Sequence, residues 1–219
     1  MKRVSVFATV ALSAAFLVSC GDGGNAETAN HDNHDHDKSD EKTEQMAETK
    51  TVMVDIENSM VMWEGNMTGA KTYNHFGNLM VSEGKLEMTG DAISGGGFVI
   101  DMTSITPTDS AYSEEHPASD LVGHLTSADF FDVENHPTAE FSITSYDAEA
   151  HTVTGMLNIR GNSNEETISD VMMDKESGKI SGMLTFDRQK YDVAWSHPLK
   201  DMFLSDDIKV EVSLMTKEG

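Results

Sequence analysis

The sequence predicts an all-β fold class, because apolar and polar residues alternate in many short segments that turn residues separate. Alternation with a period of two places the apolar side chains on one face of a strand, while Gly, Asn and Asp punctuate the strands. About eight or nine such segments follow residue 51, which indicates one antiparallel barrel or sandwich. The alternating apolar positions are Val52, Val54 and Ile56; Val61 and Trp63; Leu79 and Val81; Leu86 and Met88; Phe98, Ile100 and Met102; Phe141 and Ile143; Val153, Leu157 and Ile159; Ile180, Leu184 and Phe186; Tyr191, Val193 and Trp195; and Ile208, Val210, Val212 and Leu214.

Two segments depart from simple alternation. Residues 82–85, with the sequence SEGK, are predicted to form a turn between two strands. Within residues 104–140, Ser119 is predicted to cap a short helix. The apolar residues of that helix are Leu121, Val122 and Leu125.

Residues 1–19 have the layout of a lipoprotein signal peptide. Lys2 and Arg3 precede an apolar run over residues 4–18, which is shorter than the roughly 20 residues of a membrane span. The run ends in LVSC, which resembles a bacterial lipobox and implies acylation of Cys20, the only cysteine of the chain. Two or more acyl chains hold a protein stably to a bilayer. The expected location is therefore the cell envelope, with the protein lipid-anchored to the outer membrane on its periplasmic side or at the cell surface.

Residues 20–50 are predicted to form a flexible, acidic linker, because they contain scarcely any large apolar side chain. His31, His34 and His36 alternate there with aspartates. Imidazole and carboxylate suit zinc, nickel or copper. The tract is interpreted either as a solvated polar segment or as the metal site of a metal-handling envelope protein, which is the alternative function. The remainder, residues 51–219, is predicted to be the folded domain.

Charge and motif content exclude two classes of function. The net charge of the chain is −23, and so acidic a protein repels phosphate backbones, which argues against a nucleic-acid partner. The sequence contains no nucleophile elbow, Walker loop, zinc-protease helix or dinucleotide fingerprint. The protein is therefore expected not to be an enzyme, and His124 is expected to position a turn instead of acting as a base.

One motif resembles the signature of the YceI-like family. It is HLTSADFFDVENHPTAEF over residues 124–141, and it lies among similar family segments at residues 100–105 (IDMTSI), 153–161 (VTGMLNIRG) and 186–191 (FDRQKY). The resemblance spans residues 51–217. It implies an eight-stranded, lipocalin-like antiparallel barrel with a short helical segment at one end. Characterised members hold a long isoprenoid, either a polyprenyl chain or an isoprenoid quinone, so the expected function is lipid binding for storage, transport or stress protection, with no required cofactor.

The candidate ligand-binding residues are apolar residues that alternate along the predicted strands. Burial gains about 25 cal/mol per Å² of apolar area, although the same side chains also suit a solid core. Thirteen methionines follow residue 51, and their flexible thioethers are expected to adapt to an irregular ligand. The candidates are Trp63, Phe98, Ile100, Phe141, Ile143, Leu157, Ile159, Leu184 and Phe186.

The charge balance predicts a neutral headgroup. A pyrophosphate is bound through arginine forks, but residues 51–219 contain only Arg160 and Arg188 against 29 acidic side chains. A quinone ring meets no such repulsion. Trp63, Tyr191 and Trp195 are expected to pack against that ring.

Overall fold

The computed structural model describes residues 48–69, 72–197 and 201–217. Within these residues the chain forms nine strands, one α-helix and one 3₁₀-helix, which confirms the predicted all-β class. The elements are β1 (Thr49–Val54), β2 (Met60–Gly69), β3 (Tyr73–Thr89), β4 (Ala92–Pro107), α1 (Ala118–Thr126), β5 (Thr138–Asp147), β6 (Thr152–Ile159), β7 (Asn162–Asp174), β8 (Lys179–Asp187), the 3₁₀-helix (Arg188–Tyr191) and β9 (Met202–Lys217).

Strands β2 to β9 close into an eight-stranded antiparallel barrel. Each strand pairs with its sequence neighbours, and β2 also pairs with β9, which closes the ring. The ninth strand, β1, lies between the same two neighbours as β2. It pairs with the second half of β3 and with the end of β9. The structure therefore shows a barrel and not a sandwich.

Strand alternation places the core inside the barrel. In β6, for example, Val153, Leu157 and Ile159 are buried, while Met156 is exposed. Full burial of such an aliphatic side chain contributes about 1.5–3 kcal/mol. The apolar interior is thus the main source of stability for the described strands.

The predicted turn at residues 82–85 is wrong, because β3 continues through it as one strand of 17 residues. The register with β4 shifts between Val81 and Glu83, which marks a bulge. A Cβ atom on Gly84 would lie 2.7 Å from Cγ2 of Val54. The glycine therefore permits the close approach of β1 and does not make a turn.

The predicted strand through Tyr191, Val193 and Trp195 is also wrong. The side chain of Asp187 accepts a hydrogen bond from the Gln189 N–H and begins the 3₁₀-helix there. Asp192, with φ of 59°, ends it in the left-handed region. The apparent alternation arises because Tyr191 and Val193 are fully buried on either side of this turn.

Strand β7 was not predicted from the alternation of apolar residues, because its inward face is partly polar. Glu166 is 8% exposed there and accepts hydrogen bonds from the Tyr191 hydroxyl (3.1 Å) and from Lys190 Nζ (3.2 Å). A register shift between Ser169 and Met172 then breaks the period of two. A strand of this kind is recognised only when its partners are known.

Helix α1 forms where it was predicted but is capped differently. It begins at Ala118, directly after Pro117, and no side chain caps its first turn, so the predicted cap at Ser119 is wrong. At the other end the Ser127 hydroxyl donates a 2.7 Å hydrogen bond to the carbonyl oxygen of His124. The serine of the HLTS motif thus ends the helix. Among the described residues, no helix is long and apolar enough to cross a bilayer.

The connections from β4 to β5 and from β8 to β9 lie at the same end of the barrel, because successive strands of the barrel alternate in direction. Helix α1 belongs to the first connection and the 3₁₀-helix to the second. We call this the helical end.

A buried arginine ties the second connection together. Arg188 is 3% exposed, and its guanidinium donates to the carbonyl oxygens of Ser205 (3.0 Å), Trp195 (3.1 Å) and Val193 and to Asp206 Oδ1 (2.9 Å). Burial lowers its pKa, and the nearby aspartates oppose that change. The guanidinium cation therefore holds the β8–β9 connection together through hydrogen bonds within the protein.

We predict that Arg188→Met destabilises the protein by about 3 kcal/mol or more, because several buried carbonyl groups lose their donor. Equilibrium unfolding in urea measures this change. Lys209→Met removes a charge from an exposed position and serves as the control, with an expected change within about 0.5 kcal/mol. Equal midpoints for the two variants would contradict the structural role of Arg188.

Candidate functional site

An enclosed apolar cavity occupies the helical end of the barrel. Its volume is about 250 Å³, which exceeds the roughly 150 Å³ of an engineered apolar cavity that binds benzene. Among the described side chains that line it, only Tyr73, at the start of β3, is exposed. The cavity therefore reaches solvent near the rim at this end.

Eight of the nine sequence-predicted residues line this cavity. The exception is Ile143, which faces a separate void of about 30 Å³ deeper in the barrel. The stacked rings of Phe98 and Phe141, with centroids 5.7 Å apart, line both spaces and form the floor of the larger one. The eight residues are Trp63, Phe98, Ile100, Phe141, Leu157, Ile159, Leu184 and Phe186; that they bind a ligand stays a prediction.

Sequence reasoning missed the part of the lining that comes from outside the strand pattern. Helix α1 packs an apolar face over the helical end, and the turn after it adds two rings. The amphipathic spacing of the helix was a usable signal for this contact. The residues from this segment are Leu121, His124, Leu125, Phe130 and Phe131.

Most of the methionines do not line the cavity. Only Met67 and Met102 line it, although thirteen methionines follow residue 51. The expectation that thioethers shape the ligand site is therefore wrong for most of them, since many lie on the outer face of the barrel.

The cavity wall carries unpartnered polar atoms but no ionic side chain. None of the described residues that line it is Asp, Glu, Lys or Arg. Trp63 Nε1 and His124 Nε2 are buried in the wall and have no hydrogen-bond partner among the described residues. Burying such a group without a partner costs about 1–3 kcal/mol. Both atoms are also shielded from the cavity space by their neighbours, so a polar group of a ligand can pair with them only after the surrounding side chains shift.

Aromatic packing keeps the His124 ring at the cavity. Its centroid lies 4.6 Å from that of Trp195 and 5.3 Å from that of Phe130. Burial lowers the pKa of His124, and the charge of Asp129 opposes this only in part. The imidazole is therefore neutral at pH 7, so one ring nitrogen donates and the other accepts. Its backbone carbonyl positions the following turn, as expected, while its side chain faces the cavity.

A buried carboxylate fixes the chain after β4 to the rim. The Tyr112 hydroxyl donates to Asp109 Oδ2 at 2.6 Å, and Nδ1 of the cavity-lining His75 lies 3.2 Å from the same oxygen. Burial raises the pKa of Asp109, but hydrogen bonds from Tyr112 and from the backbone N–H groups of Ala111 and Phe76 outweigh it, so that pKa lies below its ordinary value. A negative charge is thus held at the rim.

The two arginines of the domain do not converge on the cavity. Arg188 serves the second connection, and Arg160 donates to the carbonyl oxygens of Ala128 (3.0 Å) and Asp192. Tyr191 is also withdrawn from the cavity, because it is fully buried against Glu166. Trp63 and Trp195 line the cavity, as the predicted contacts with a ligand ring require, whereas Tyr191 does not line it.

A second groove, of about 570 Å³, lies beside β1. Its wall includes Ser82, Glu83, Lys85 and Glu140 as well as glycine backbone. Its volume is larger than that of the cavity at the helical end, but it is more open to solvent and its wall is more polar. An apolar ligand gains less from such a surface, so we take the enclosed cavity as the candidate site.

The predicted metal and acylation sites lie outside the described residues. This applies to His31, His34 and His36 and to Cys20, and both stay predictions. Within the described part of the chain, no three His, Cys, Asp or Glu side chains lie close enough together to hold a metal ion.

A closed antiparallel barrel with an apolar cavity under a short helix defines a lipocalin-like class of protein. The chain belongs to the YceI-like domain family, whose pattern it matches over residues 52–216.

Solved structures are similar to this chain at low sequence identity. The Burkholderia cenocepacia protein BcnA is 16% identical, with a TM-score of 0.54 over 74% of this chain and 98% of its own. A polyisoprenoid-binding domain from Saccharophagus degradans is 10% identical, with a TM-score of 0.46 over 80% and 100%. A YCEI protein from Campylobacter jejuni is 21% identical, with a TM-score of 0.38 over 58% and 75%. No curated protein sequence matches this chain.

We predict that His124 makes the ligand-free protein sensitive to acid. Its pKa in the folded state is lowered, so the unfolded chain, with a histidine pKa of about 6.5, takes up more protons on acidification. The free energy of unfolding should then decrease as the pH falls below about 6.5. Urea unfolding at several pH values, compared with His124→Gln, isolates the contribution; parallel profiles for the two proteins would refute it.

Proposed function

We propose that this protein binds a long apolar lipid with a neutral, hydrogen-bonding headgroup, of the isoprenoid quinone kind, inside its barrel. The observation that carries the proposal is the largely enclosed cavity at the helical end, which is lined mainly by apolar side chains and by no ionic side chain among the described residues. Family resemblance supports an isoprenoid chain as the occupant. The role is binding, with no catalytic step.

The apolar wall supplies most of the affinity. Phe98, Ile100, Leu157 and Leu184 are each 7% exposed or less, and they come from three different sides of the barrel. A hydrocarbon chain among them exchanges contact with water for contact with apolar groups, at about 25 cal/mol per Å². No polar contact along the chain is needed.

The polar atoms of the wall favour a neutral headgroup. Trp63 Nε1 is a donor, and the neutral His124 ring offers a donor or an acceptor. These groups suit a carbonyl or hydroxyl on a ring. A pyrophosphate, by contrast, would face Asp109 at the rim without help from Arg160 or Arg188.

The proposed setting is the cell envelope. Acylation at Cys20 would anchor the chain to a membrane, with residues 20–50 as a leash to the barrel. A membrane is also where isoprenoid lipids are found. The anchored barrel would then serve in lipid storage, lipid transport or stress protection.

A cavity-filling substitution tests the site. A Cβ atom on Gly65 would meet only Ile208 Cδ1, at 3.8 Å, so Gly65→Phe enters the cavity without displacing backbone. Overpacking typically costs about 1–3 kcal/mol, which a folded barrel tolerates, while lipid binding should weaken about tenfold or more. Native mass spectrometry of purified protein measures the bound fraction.

The matched control is Gly123→Phe. Gly123 is exposed on α1, and no heavy atom lies within 4 Å of a Cβ built there. This variant adds the same side chain outside the cavity and should retain lipid at the wild-type level. Full lipid occupancy in folded Gly65→Phe would place the ligand elsewhere.

The headgroup is tested by removing one donor. Trp63→Phe keeps an aromatic ring but deletes Nε1–H, so quinone binding should weaken about 3- to 10-fold, the worth of one hydrogen bond. Binding of an isoprenoid hydrocarbon without oxygen measures the loss of ring contact alone, and quinone binding should weaken by more than hydrocarbon binding does. Competition against a polyprenyl pyrophosphate of equal chain length completes the test: tighter, salt-sensitive binding of the pyrophosphate would show that the headgroup is anionic.

The anchor is tested at Cys20. Cys20→Ala should lose label from radioactive palmitate and leave the membrane fraction, because the thioether-linked lipid cannot form. The lipid content of the barrel should be unaffected, which separates anchoring from ligand binding. Palmitate label that persists in the variant would end the lipoprotein proposal.

A further inference from the structure

Exposed methionines are concentrated on the outer face of the barrel. Among the described residues, seven of the eleven large apolar side chains that are exposed are methionines, and only one is aliphatic, Ile56. Aliphatic β-branched residues suit strands better. Thioethers thus make up most of the exposed large apolar side chains of the described residues.

Three of these methionines are brought together by the register of β2 and β3. Met60 is directly opposite Met80, which places their Cβ atoms about 4.5–5.5 Å apart. Met62 lies two residues after Met60 and shares its outward face; it is diagonal to Met80, at about 7–8 Å. The three are 43%, 41% and 58% exposed. We call this set the methionine triangle.

The thioethers of the triangle can converge on one point. Each side chain has three rotatable bonds after Cα and a polarizable sulfur. Each of the three is at least 41% exposed, so its sulfur atom can change rotamer at the sheet surface. A single ion above the sheet is therefore within reach of all three sulfur atoms.

The surroundings of the triangle favour a cation. Met80 pairs on its other side with Asp101, Met60 with Ser213 and Met62 with Glu211. None of these register neighbours in the described strands is basic. Two carboxylates thus flank the thioethers and attract positive charge.

We propose that the methionine triangle binds a soft monovalent metal ion, Cu(I), for which Ag(I) is a substitute. Thioether ligands select Cu(I), whereas Mg²⁺ and Ca²⁺ prefer oxygen ligands. The site is separate from the lipid cavity, because Val61 and Trp63 of the same strand face inward. It is also distinct from the histidine tract at residues 31–36.

The test uses the full chain with Cys20, His31, His34 and His36 replaced by Ala, so that neither the thiol nor the histidine tract can contribute. Under anaerobic, reducing conditions, Cu(I) is titrated against a coloured Cu(I) chelator. This protein should withdraw one equivalent from the chelator. Adding the triple change to Leu at the methionine triangle should abolish that withdrawal, while folding is unchanged because surface substitutions usually have small effects.

The matched control replaces three exposed methionines that lie apart from one another, Met53, Met156 and Met172, by Leu. It loses the same number of thioethers and should still bind one equivalent. Equal binding by the triangle variant and the control, or no Cu(I) uptake by the parent chain, would overturn the proposal.

A second measurement does not depend on variants. The ε-methyl groups of the methionines are labelled with ¹³C, and Ag(I) is added to the parent chain. The signals of Met60, Met62 and Met80 should shift together and saturate at one equivalent. Shifts confined to other methionines would place the metal elsewhere and overturn the proposal.

Discussion

Closure of the hydrogen-bond ladder around β2 to β9 is the constraint on which the rest of the structure depends. Once β2 pairs with β9, every strand of the ring has one face inward and one outward. Eight strands leave an interior that side chains either fill or shape around one ligand. Here both outcomes occur in one barrel: Phe98 and Phe141 fill the middle, whereas the small residues Gly65 and Ala139 leave space towards the helical end. The cavity is thus a consequence of side-chain size along otherwise equivalent strands.

The helical end depends on the same closure. Up-and-down strands bring both long connections to one end, and each is fixed there by a polar anchor. Asp109 holds the chain after β4 against His75 at the rim, and Arg188 holds the chain after β8 through carbonyl oxygens. These charged groups form their hydrogen bonds with other groups of the protein, and none of them lines the cavity beneath. This use of charge supports the proposed neutral headgroup more directly than the net charge of the chain does.

The fold was largely predictable, since the motif of residues 124–141 and the alternating strands both encode local patterns. The same alternation placed Leu157 and Leu184 on the cavity wall. It failed for Ile143, because a period of two gives the face of a strand but not the depth along it. It failed for Gly84, whose role depends on Val54 some thirty residues earlier, and for His124, whose ring reaches the cavity only through the packing of α1. Such contacts are tertiary, and no local pattern records them.

The methionine triangle illustrates the same limit from the outside of the barrel. In the sequence, Met60, Met62 and Met80 are scattered over two predicted strands, and nothing local groups them. The register of β2 with β3 brings them onto one patch of surface. Strand β2 therefore carries two chemistries in alternation, with Trp63 directed to the cavity and the thioethers directed to solvent. Because alternate residues face opposite sides of a sheet, changes at the triangle leave the cavity wall intact, and the two proposed binding sites can be tested by separate substitutions.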